Sequence, residues 1–253
     1  MSGRVDYERR QHAVYAQGRA LPEQTLASWM HAFARYAPSR RPLAVLDLGS
    51  GTGRFTPALA DTFGGPVYGV EPSSQMRAVA VEAARHAHVT YLAGSAEQIP
   101  LPDGSCDLIL MFLVLQHVQD RNAAAVEIAR VLRPDGRLLI RSTFSNRLPD
   151  LLWHRYFPQA RVIEARLFPS LSEVLELFAA VGLRQVALDQ VRERFAPSLA
   201  EYAARLRLRA ISTFEFMTEE EIEAGQAAID AAAAAETTPC PVEEDSDLLI
   251  LAR

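Results

Sequence analysis

Short apolar runs alternate with amphipathic stretches between residues 43 and 144 of the chain. The runs are bounded by turn residues, which is typical of buried strands. The stretches between them carry apolar residues three and four positions apart, which indicates helices. The predicted strands are 43–48, 67–70, 89–92, 108–113 and 138–144. This alternation of strands and helices predicts a doubly wound α/β sheet.

The remainder of the chain is predicted to add helices and two more strands. Leu26, Trp29, Met30 and Phe33 share one helix face, so residues 1–42 are predicted to be a helical segment before the sheet. Further strands are predicted at 184–195 and 247–252, and helices at 172–181, 199–211 and 219–235, whereas 146–169 is predicted to be irregular. We therefore expect an N-terminal cap at 1–42 and one domain at 43–253, with a helical cap insert at about 196–240.

Three glycines alternate directly after the first predicted strand. Asp47 precedes Gly49, Ser50, Gly51 and Gly53, and the next predicted helix begins two residues later. Alternating glycines allow positive φ angles and let a ligand approach the backbone closely. The following helix turns free N–H groups and the positive end of its dipole toward that ligand. This arrangement predicts a site for a nucleotide-type cofactor.

The spacing excludes two common nucleotide motifs. A dinucleotide motif starting at Gly49 needs its last glycine where the chain has Arg54. A P-loop needs a lysine, but all 26 basic residues are arginine, which also excludes lysine Schiff-base chemistry. Asp47, two residues before the first glycine, instead suits a cofactor that presents a cation such as an amino-acid ammonium.

A second acid follows the second predicted strand. Glu71 lies twenty residues after Gly51 and is placed to accept hydrogen bonds from both hydroxyls of a ribose. With these residues the chain resembles the class I S-adenosylmethionine-dependent methyltransferases, in the small-molecule branch related to the ubiquinone and menaquinone biosynthesis enzymes. The resemblance extends over about 43–144 by motif and 171–194 by pattern. It implies a Rossmann-like sheet of seven strands with an antiparallel last strand, and S-adenosylmethionine as the cofactor.

The resemblance also implies which residues surround the adenosine. Met76, in the first turn of a helix capped by Ser73, is expected against the adenine, although ordinary core filling explains it nearly as well. Pro72, beside Glu71, and Phe112, at the end of the fourth strand, complete this part of the expected cofactor set.

Ser95, Ala96 and Glu97 follow the third predicted strand, where the family reads the edge of the adenine. Ser95 stands where the family has an acid. The expected contact there is therefore the backbone of Ala96, which does not depend on the exchange.

Two residues of the N-terminal segment are implied at the other end of the cofactor. Tyr15 and Arg19 are four residues apart and share a helix face. In relatives this segment covers cofactor and substrate, so Tyr15 and Arg19 are expected to reach the cofactor carboxylate, which arginine matches in shape. A surface arginine beside a packed tyrosine is an equally good interpretation.

The end of the fourth strand indicates the kind of acceptor. Nucleobase and protein-amide methyltransferases carry Asp/Asn-Pro-Pro-Tyr there, whereas this chain is apolar from Met111 to Val114. His117 follows and is a candidate general base, with a structural role at the cofactor pocket as the alternative. The aromatic and arginine-rich stretch 146–169 is expected either to line a pocket for a planar or anionic acceptor or to form a packed insert.

Composition narrows the partners. The formal net charge of −5, without a basic run, argues against nucleic acid. The longest apolar stretch, 108–115, is too short for a membrane span, and the first residues lack the apolar core of a signal peptide. Two cysteines predict neither a metal cluster nor a disulfide framework, so we expect a cytoplasmic protein without a metal site. The eleven acids of 215–252 are expected to face solvent.

The sequence therefore predicts an enzyme that moves a methyl group from S-adenosylmethionine to an O or N atom of a small organic molecule. Two alternatives stay open. One is a methyltransferase acting on protein or RNA, and the other is a scaffold of the same fold that binds the cofactor without methylating. The sequence leaves the oligomeric state open.

Overall fold

A seven-stranded mixed sheet forms the centre of the structure, a computed structural model that describes residues 21–253. The strands are β1 Leu43–Leu48, β2 Gly64–Glu71, β3 Val89–Ala93, β4 Cys106–Phe112, β5 Leu132–Arg141, β6 Arg184–Ala196 and β7 Val242–Ala252. Their order is β3-β2-β1-β4-β5-β7-β6. Strands β1 to β5 are parallel, and β7 runs antiparallel to both β5 and β6. The predicted Rossmann-like sheet with an antiparallel last strand is confirmed.

Helices pack on both faces of this sheet. They are α1 Glu23–Tyr36, α2 Thr56–Phe63, α3 Ser74–Ala83, α4 Arg121–Val131, α5 Pro158–Leu167, α6 Leu171–Ala179, α7 Leu199–Arg207 and α8 Glu219–Ala234. The Ser73 hydroxyl accepts a hydrogen bond from the Met76 N–H at 3.2 Å, which confirms the predicted cap of α3. None of the helices described here combines the length and the apolar character that crossing a bilayer requires.

The core lies in two layers, one on each side of the sheet. Trp29 and Phe33 of α1 are fully buried in the layer that also contains Val45. Leu46 and Leu48 of β1 belong to the opposite layer, together with residues of α4 and α6. Burial on both faces explains why β1 is a continuous apolar run rather than an alternating one. The predicted buried face of the first helix is confirmed at Trp29 and Phe33.

A third apolar cluster joins the segment after β5 to the insert between β6 and β7. Trp153 and Phe157 pack against Phe214, with ring centroids 5.5 and 5.3 Å apart. The prediction of an irregular segment at 146–169 was wrong in part, because α5 lies within it. Ala160 and Glu164 are the buried residues of α5, and a glutamate facing inward conceals the helical pattern.

The last two strands are longer than predicted. β7 begins at Val242 rather than at residue 247, because its ladder with β6 continues to the pair Ala196 and Val242. Polar residues alternate along this extension and form ion pairs across it, such as Arg192 with Asp245 at 3.2 Å. Glu244 lies on the inner side and is half-buried, so the expectation that the acidic run faces solvent was wrong for this residue.

Candidate active site

The glycine turn after β1 depends on residues without a side chain. Gly49, Gly51 and Gly53 have φ angles of +74°, +56° and +78°, the left-handed region that favours glycine. The Gly49 N–H donates to the carbonyl of Val70 at 2.7 Å, which folds the turn over the end of β2. A Cβ at Gly49 would lie 2.5 Å from Cγ2 of Val114. The turn therefore brings the end of β4 directly against the loop.

Asp47 places a buried carboxylate behind this turn. Its side chain is 3 % exposed, and its Oδ2 accepts a hydrogen bond from the Thr56 hydroxyl at 2.7 Å. Burial raises the pKa of Asp47 to about 6, although the bond from Thr56 and the charge of Arg54 act to lower it. A nearby cation stabilises a carboxylate in such a place. The Ser50 hydroxyl, also buried, has no hydrogen-bond partner among residues 21–253. Both features fit the charged amino-acid end of S-adenosylmethionine.

Glu71 joins the turn to the start of α3. Its Oε2 accepts from the Gly51 N–H at 3.0 Å, and its Oε1 accepts from the Ser73 N–H at 2.9 Å, on the other side of Pro72. A carboxylate oxygen can accept more than one hydrogen bond, so Glu71 is of the right chemical type to accept from ligand hydroxyls as well. The structure thus brings Glu71 to the glycine turn at the end of β2, where the ribose was predicted.

Met76 and Ala96 are both buried, at 3 % and 6 % exposure, in the α3 and post-β3 segments. Ser95 and Gln98 exchange two backbone hydrogen bonds of 3.3 Å, which close the segment after β3 into a turn. This turn belongs to the half of the site next to β2 and β3. The adenine contacts of Met76, Ser95 and Ala96 stay predictions.

Glu97 has a structural connection that the sequence did not indicate. Its Oε1 accepts from the backbone N–H groups of Gln119 and Asp120, at 3.0 and 3.4 Å. Burial acts to raise the pKa of Glu97, but hydrogen bonds from Ser95 and from these backbone groups outweigh it and lower the pKa. Glu97 therefore ties the turn after β3 to the segment before α4, and its predicted contact with the cofactor stays a prediction.

Phe112 lies at the end of β4 inside an aromatic cluster. Its ring centroid is 4.4 Å from that of Phe55 and 5.0 Å from that of Trp29. The guanidinium groups of Arg54 and Arg141 lie 5.1 and 5.2 Å from its ring, within the range of cation–π contacts. Phe112 thus connects α1 to the glycine turn, and its contact with the cofactor stays a prediction.

His117 is exposed, in the short 3₁₀ helix Leu115–His117. Its Nε2 lies 3.2 Å from Nε2 of Gln116. Gln116, and not His117, borders the cavity described next, so the structure gives no direct support to a role for His117 as a base. Tyr15 and Arg19 lie outside the described residues.

A cavity of about 180 Å³ lies beside the end of β4. Leu113 and Gln116 form its wall toward the glycine turn, and Leu113 has a φ angle of +58°, which is rare for a residue other than glycine. The rest of the wall comes from β5, residues 142–153, α5, the β6–β7 extension and the insert. Its apolar side chains include Leu151, Trp153, Phe168, Phe195, Tyr202 and Ile211, and its polar ones include Arg141, Glu164, Thr213 and Glu244.

Sequence reasoning missed the polar groups of this cavity. Nε2 of His154 lies 3.0 Å from Oε2 of Glu164, and the Thr213 hydroxyl donates to Oε1 of Glu164 at 3.2 Å. His154 and Glu164 are each 5 % exposed. The signal that could have found them is the presence of ionisable residues at inward positions of an otherwise aromatic segment.

A buried ion pair closes the cavity on the side of α1. Nη2 of Arg141 lies 2.9 Å from Oε1 of Glu193 and 2.7 Å from the Ser246 hydroxyl, which itself donates to Glu193. Burial acts to raise the pKa of Glu193, but the charge of Arg141 and these hydrogen bonds outweigh it and lower the pKa. The charges of this wall are therefore fixed in place.

Comparison with known proteins agrees with this geometry. The family profile described as "Methyltransferase domain" matches residues 46–140, which include the glycine turn, Glu71 and the end of β4. Residues 46–140 of this chain therefore resemble a class I methyltransferase domain. Methyltransferase domains of this class depend on S-adenosylmethionine, which is therefore its cofactor. The resemblance to the ubiquinone and menaquinone methyltransferases is confirmed.

Individual relatives of the methyltransferase domain differ in the atom that they methylate. The chain is 39% identical over 111 residues to the ubiquinone/menaquinone biosynthesis C-methyltransferase UbiE of Rubrivivax gelatinosus, covering 44% of this chain and 43% of the relative. It is 30% identical over 164 residues to the O-methyltransferase resE of Aspergillus sclerotiorum, covering 60% and 59%. The chain thus spans less than two thirds of the length of these relatives.

A solved structure shares the fold over nearly the whole chain. It is a putative methyltransferase from an antibiotic biosynthesis pathway of Anabaena variabilis ATCC 29413, with a TM-score of 0.72 and 22% identity. The match covers 92% of this chain and 99% of the other. At this identity the similarity supports the fold and leaves the activity to be argued from the site.

Proposed function

We propose that this protein transfers a methyl group from S-adenosylmethionine to an O or N atom of a small organic molecule. The proposal rests on one observation: the segment that follows β4 borders both the glycine turn and the cavity. Val114 packs against Gly49 of the glycine turn, while Leu113 and Gln116 of the same segment border the cavity. A cofactor held by the turn and an acceptor in the cavity would therefore meet at the end of β4.

The cofactor supplies an electrophilic methyl group on its sulfonium, so the protein mainly holds the two reactants in line. In this proposal Asp47 and the turn from Gly49 to Gly53 bind the amino-acid end, and Glu71 binds the ribose. The adenine lies near Met76, Ala96 and the neighbouring residues Ser95 and Glu97. The cavity volume of about 180 Å³ favours a small acceptor, and the net charge of −5 disfavours RNA.

A second candidate is methylation of a carbon atom. Its support is the similarity to the UbiE C-methyltransferase, whereas the similarity to resE supports an oxygen target. Identification of the methylated position in the product by NMR distinguishes these outcomes. We also propose that 1–42 and the insert at about 196–240 cover the acceptor, and that the protein works in the cytoplasm.

Titration calorimetry with S-adenosylmethionine and S-adenosylhomocysteine tests the first step. We expect saturable binding of both and loss of binding in Asp47→Ala, followed by transfer of labelled methyl groups to hydroxylated or amine-bearing small molecules. Binding of neither compound would refute the cofactor assignment. Binding without transfer to any acceptor, with another reaction catalysed instead, would favour the scaffold alternative. Transfer to protein or RNA, weakened by salt, would favour the macromolecular one.

A further inference from the structure

Two ionisable side chains, those of His154 and Glu164, are buried in the third apolar cluster. Two apolar side chains would pack there without the cost of removing ionisable groups from water. Nε2 of His154 lies 3.0 Å from Oε2 of Glu164, and each residue is only 5 % exposed. Nδ1 of His154 has no hydrogen-bond partner among residues 21–253. Burying such a pair costs free energy that apolar residues of similar volume do not, and unpaired buried polar atoms are rare. The pair therefore calls for a reason beyond the fold.

The carboxylate of Glu164 is both fixed in direction and accessible from the cavity. His154 holds one of its oxygens and the Thr213 hydroxyl holds the other at 3.2 Å, while Glu164 borders the cavity. Each oxygen keeps a lone pair beyond these bonds. The wall of the cavity also contains apolar side chains, such as Trp153, Phe168 and Ile211, among its polar ones. A ligand that contacts Glu164 in the cavity thus meets an acceptor-only group and must offer it an O–H or N–H.

The cavity also limits the size of what binds there. Its volume is about 180 Å³, and a protein cavity of about 150 Å³ holds one benzene ring. Aromatic side chains favour a flat ligand. We propose that Glu164 binds the hydroxyl or N–H of a methyl acceptor whose enclosed part is a single substituted ring, and that it takes up the proton released on methylation. This inference rests on the proposed methyl transfer.

The step balances as a simple displacement. The acceptor O or N forms a bond to the methyl carbon, and the carbon–sulfur bond breaks with its electron pair remaining on sulfur. The O–H or N–H bond of the acceptor breaks, and its proton goes to Glu164, which later releases it to solvent. His154 and Thr213 are positioning residues that aim the carboxylate. In this proposal Glu164 is the general base, the role for which the exposed His117 was one candidate in the sequence.

Asp245 and Asp247 also line this cavity but pair with Arg192 and Arg147, which leaves Glu244 as the other carboxylate to compare with Glu164. Its Oε1 accepts a hydrogen bond from the Leu152 N–H at 2.6 Å, so it holds the backbone of the segment after β5. Burial raises the pKa of Glu244 despite this bond. Glu164 has two side-chain donors and no backbone to hold, which makes it the better-directed partner for a ligand. A comparison of the two Glu→Gln variants separates their roles.

The test uses 4-nitrophenol as the probe, because its absorbance shifts to longer wavelength when its hydroxyl gives up its proton or shares it with a carboxylate. The probe is titrated with wild type, Glu164→Gln, Thr213→Val and Glu244→Gln, at a pH where the free probe is protonated. Glu223→Gln makes the same chemical change on an exposed face of α8 and serves as the control. Binding of S-adenosylhomocysteine is measured separately for every protein.

We expect the control to match wild type, and Glu164→Gln to bind the probe about tenfold or more weakly without the shift. Thr213→Val should weaken the shift in the same direction, which keeps the inference testable if Glu164→Gln does not fold. An unchanged shift in Glu164→Gln, loss of the shift in Glu244→Gln alone, or no saturable binding to wild type would overturn the inference. Failure of wild type to bind S-adenosylhomocysteine would instead refute the proposed function.

Discussion

Replacing Gly49 by alanine should destabilise the protein by about 2–5 kcal/mol and disable the cofactor turn. The φ angle of +74° costs a residue with a Cβ about 1–2 kcal/mol. The new Cβ would also lie 2.5 Å from Cγ2 and 3.1 Å from Cγ1 of Val114, and overpacking of this kind costs about 1–3 kcal/mol. Because a β-branched valine has few rotamers, the turn itself must move to relieve the contact.

Gly64→Ala provides a matched control for the backbone contribution alone. Gly64 has a φ angle of +71°, and a Cβ there would meet no atom within 4 Å, so only about 1–2 kcal/mol is expected. Thermal unfolding measures both variants, since 1 kcal/mol shifts the Tm of a chain this long by about 2–4 °C. Binding of S-adenosylhomocysteine should fail in Gly49→Ala only. Equal losses of stability in the two variants, or full cofactor binding by Gly49→Ala, would refute the contact with Val114.

Three further perturbations test other parts of the structure. Glu71→Ala should weaken binding of S-adenosylhomocysteine at least about tenfold in calorimetry, because two ribose hydroxyls lose a charged acceptor. Glu82→Ala, at an exposed position, is the control, and unchanged affinity in Glu71→Ala would contradict the assignment. Burial raises the pKa of Asp47 to about 6, so the folded protein without cofactor binds a proton on this carboxylate more tightly than the unfolded chain does. The folded protein should therefore lose stability as the pH rises from about 4 to 6. Asp47→Asn should flatten that loss in unfolding experiments, and in wild type the affinity for S-adenosylhomocysteine should rise through about pH 6; a flat affinity profile would contradict the predicted partner of Asp47. Gly225→Ala should lower the Tm although alanine favours helices, because a Cβ there would strike the ring of Phe157; a higher Tm would show that α8 does not pack so closely.

The cofactor half of the site could be predicted because its signals are local in the sequence. The glycine turn, Asp47 and Glu71 each belong to one strand–turn–helix unit, and their residue types follow from the backbone that the unit requires. The order and direction of the strands follow from the same repeating unit and from the family resemblance. Boundaries differ by a few residues where pairing with a neighbouring strand extends an element, as in β7.

The polar groups of the cavity could not be predicted, because they meet only in three dimensions. Thr213 reaches Glu164 from 49 residues away, and Glu244 joins them from a third part of the chain. Residues of these types usually lie on the surface, and only their burial, which the sequence does not show, indicates a role in a site. The inward position of Glu164 on α5 even hid the helix, since amphipathic patterns are recognised by apolar residues.

Ala196 and Val242 face each other as the outermost pair of the β6–β7 ladder, so residues 197–241 leave the sheet and return to it at one point. The helical insert is in this sense an enlarged hairpin loop. The entropy of closing a loop grows only by about 0.6 kcal/mol for each doubling of its length, so lengthening or exchanging the insert costs the sheet little. The insert of residues 197–241 could therefore be replaced as one unit, in evolution or by protein engineering. The turn that holds the cofactor would be inherited unchanged, while Tyr202 and Thr213, and with them the choice of acceptor, would be exchanged together.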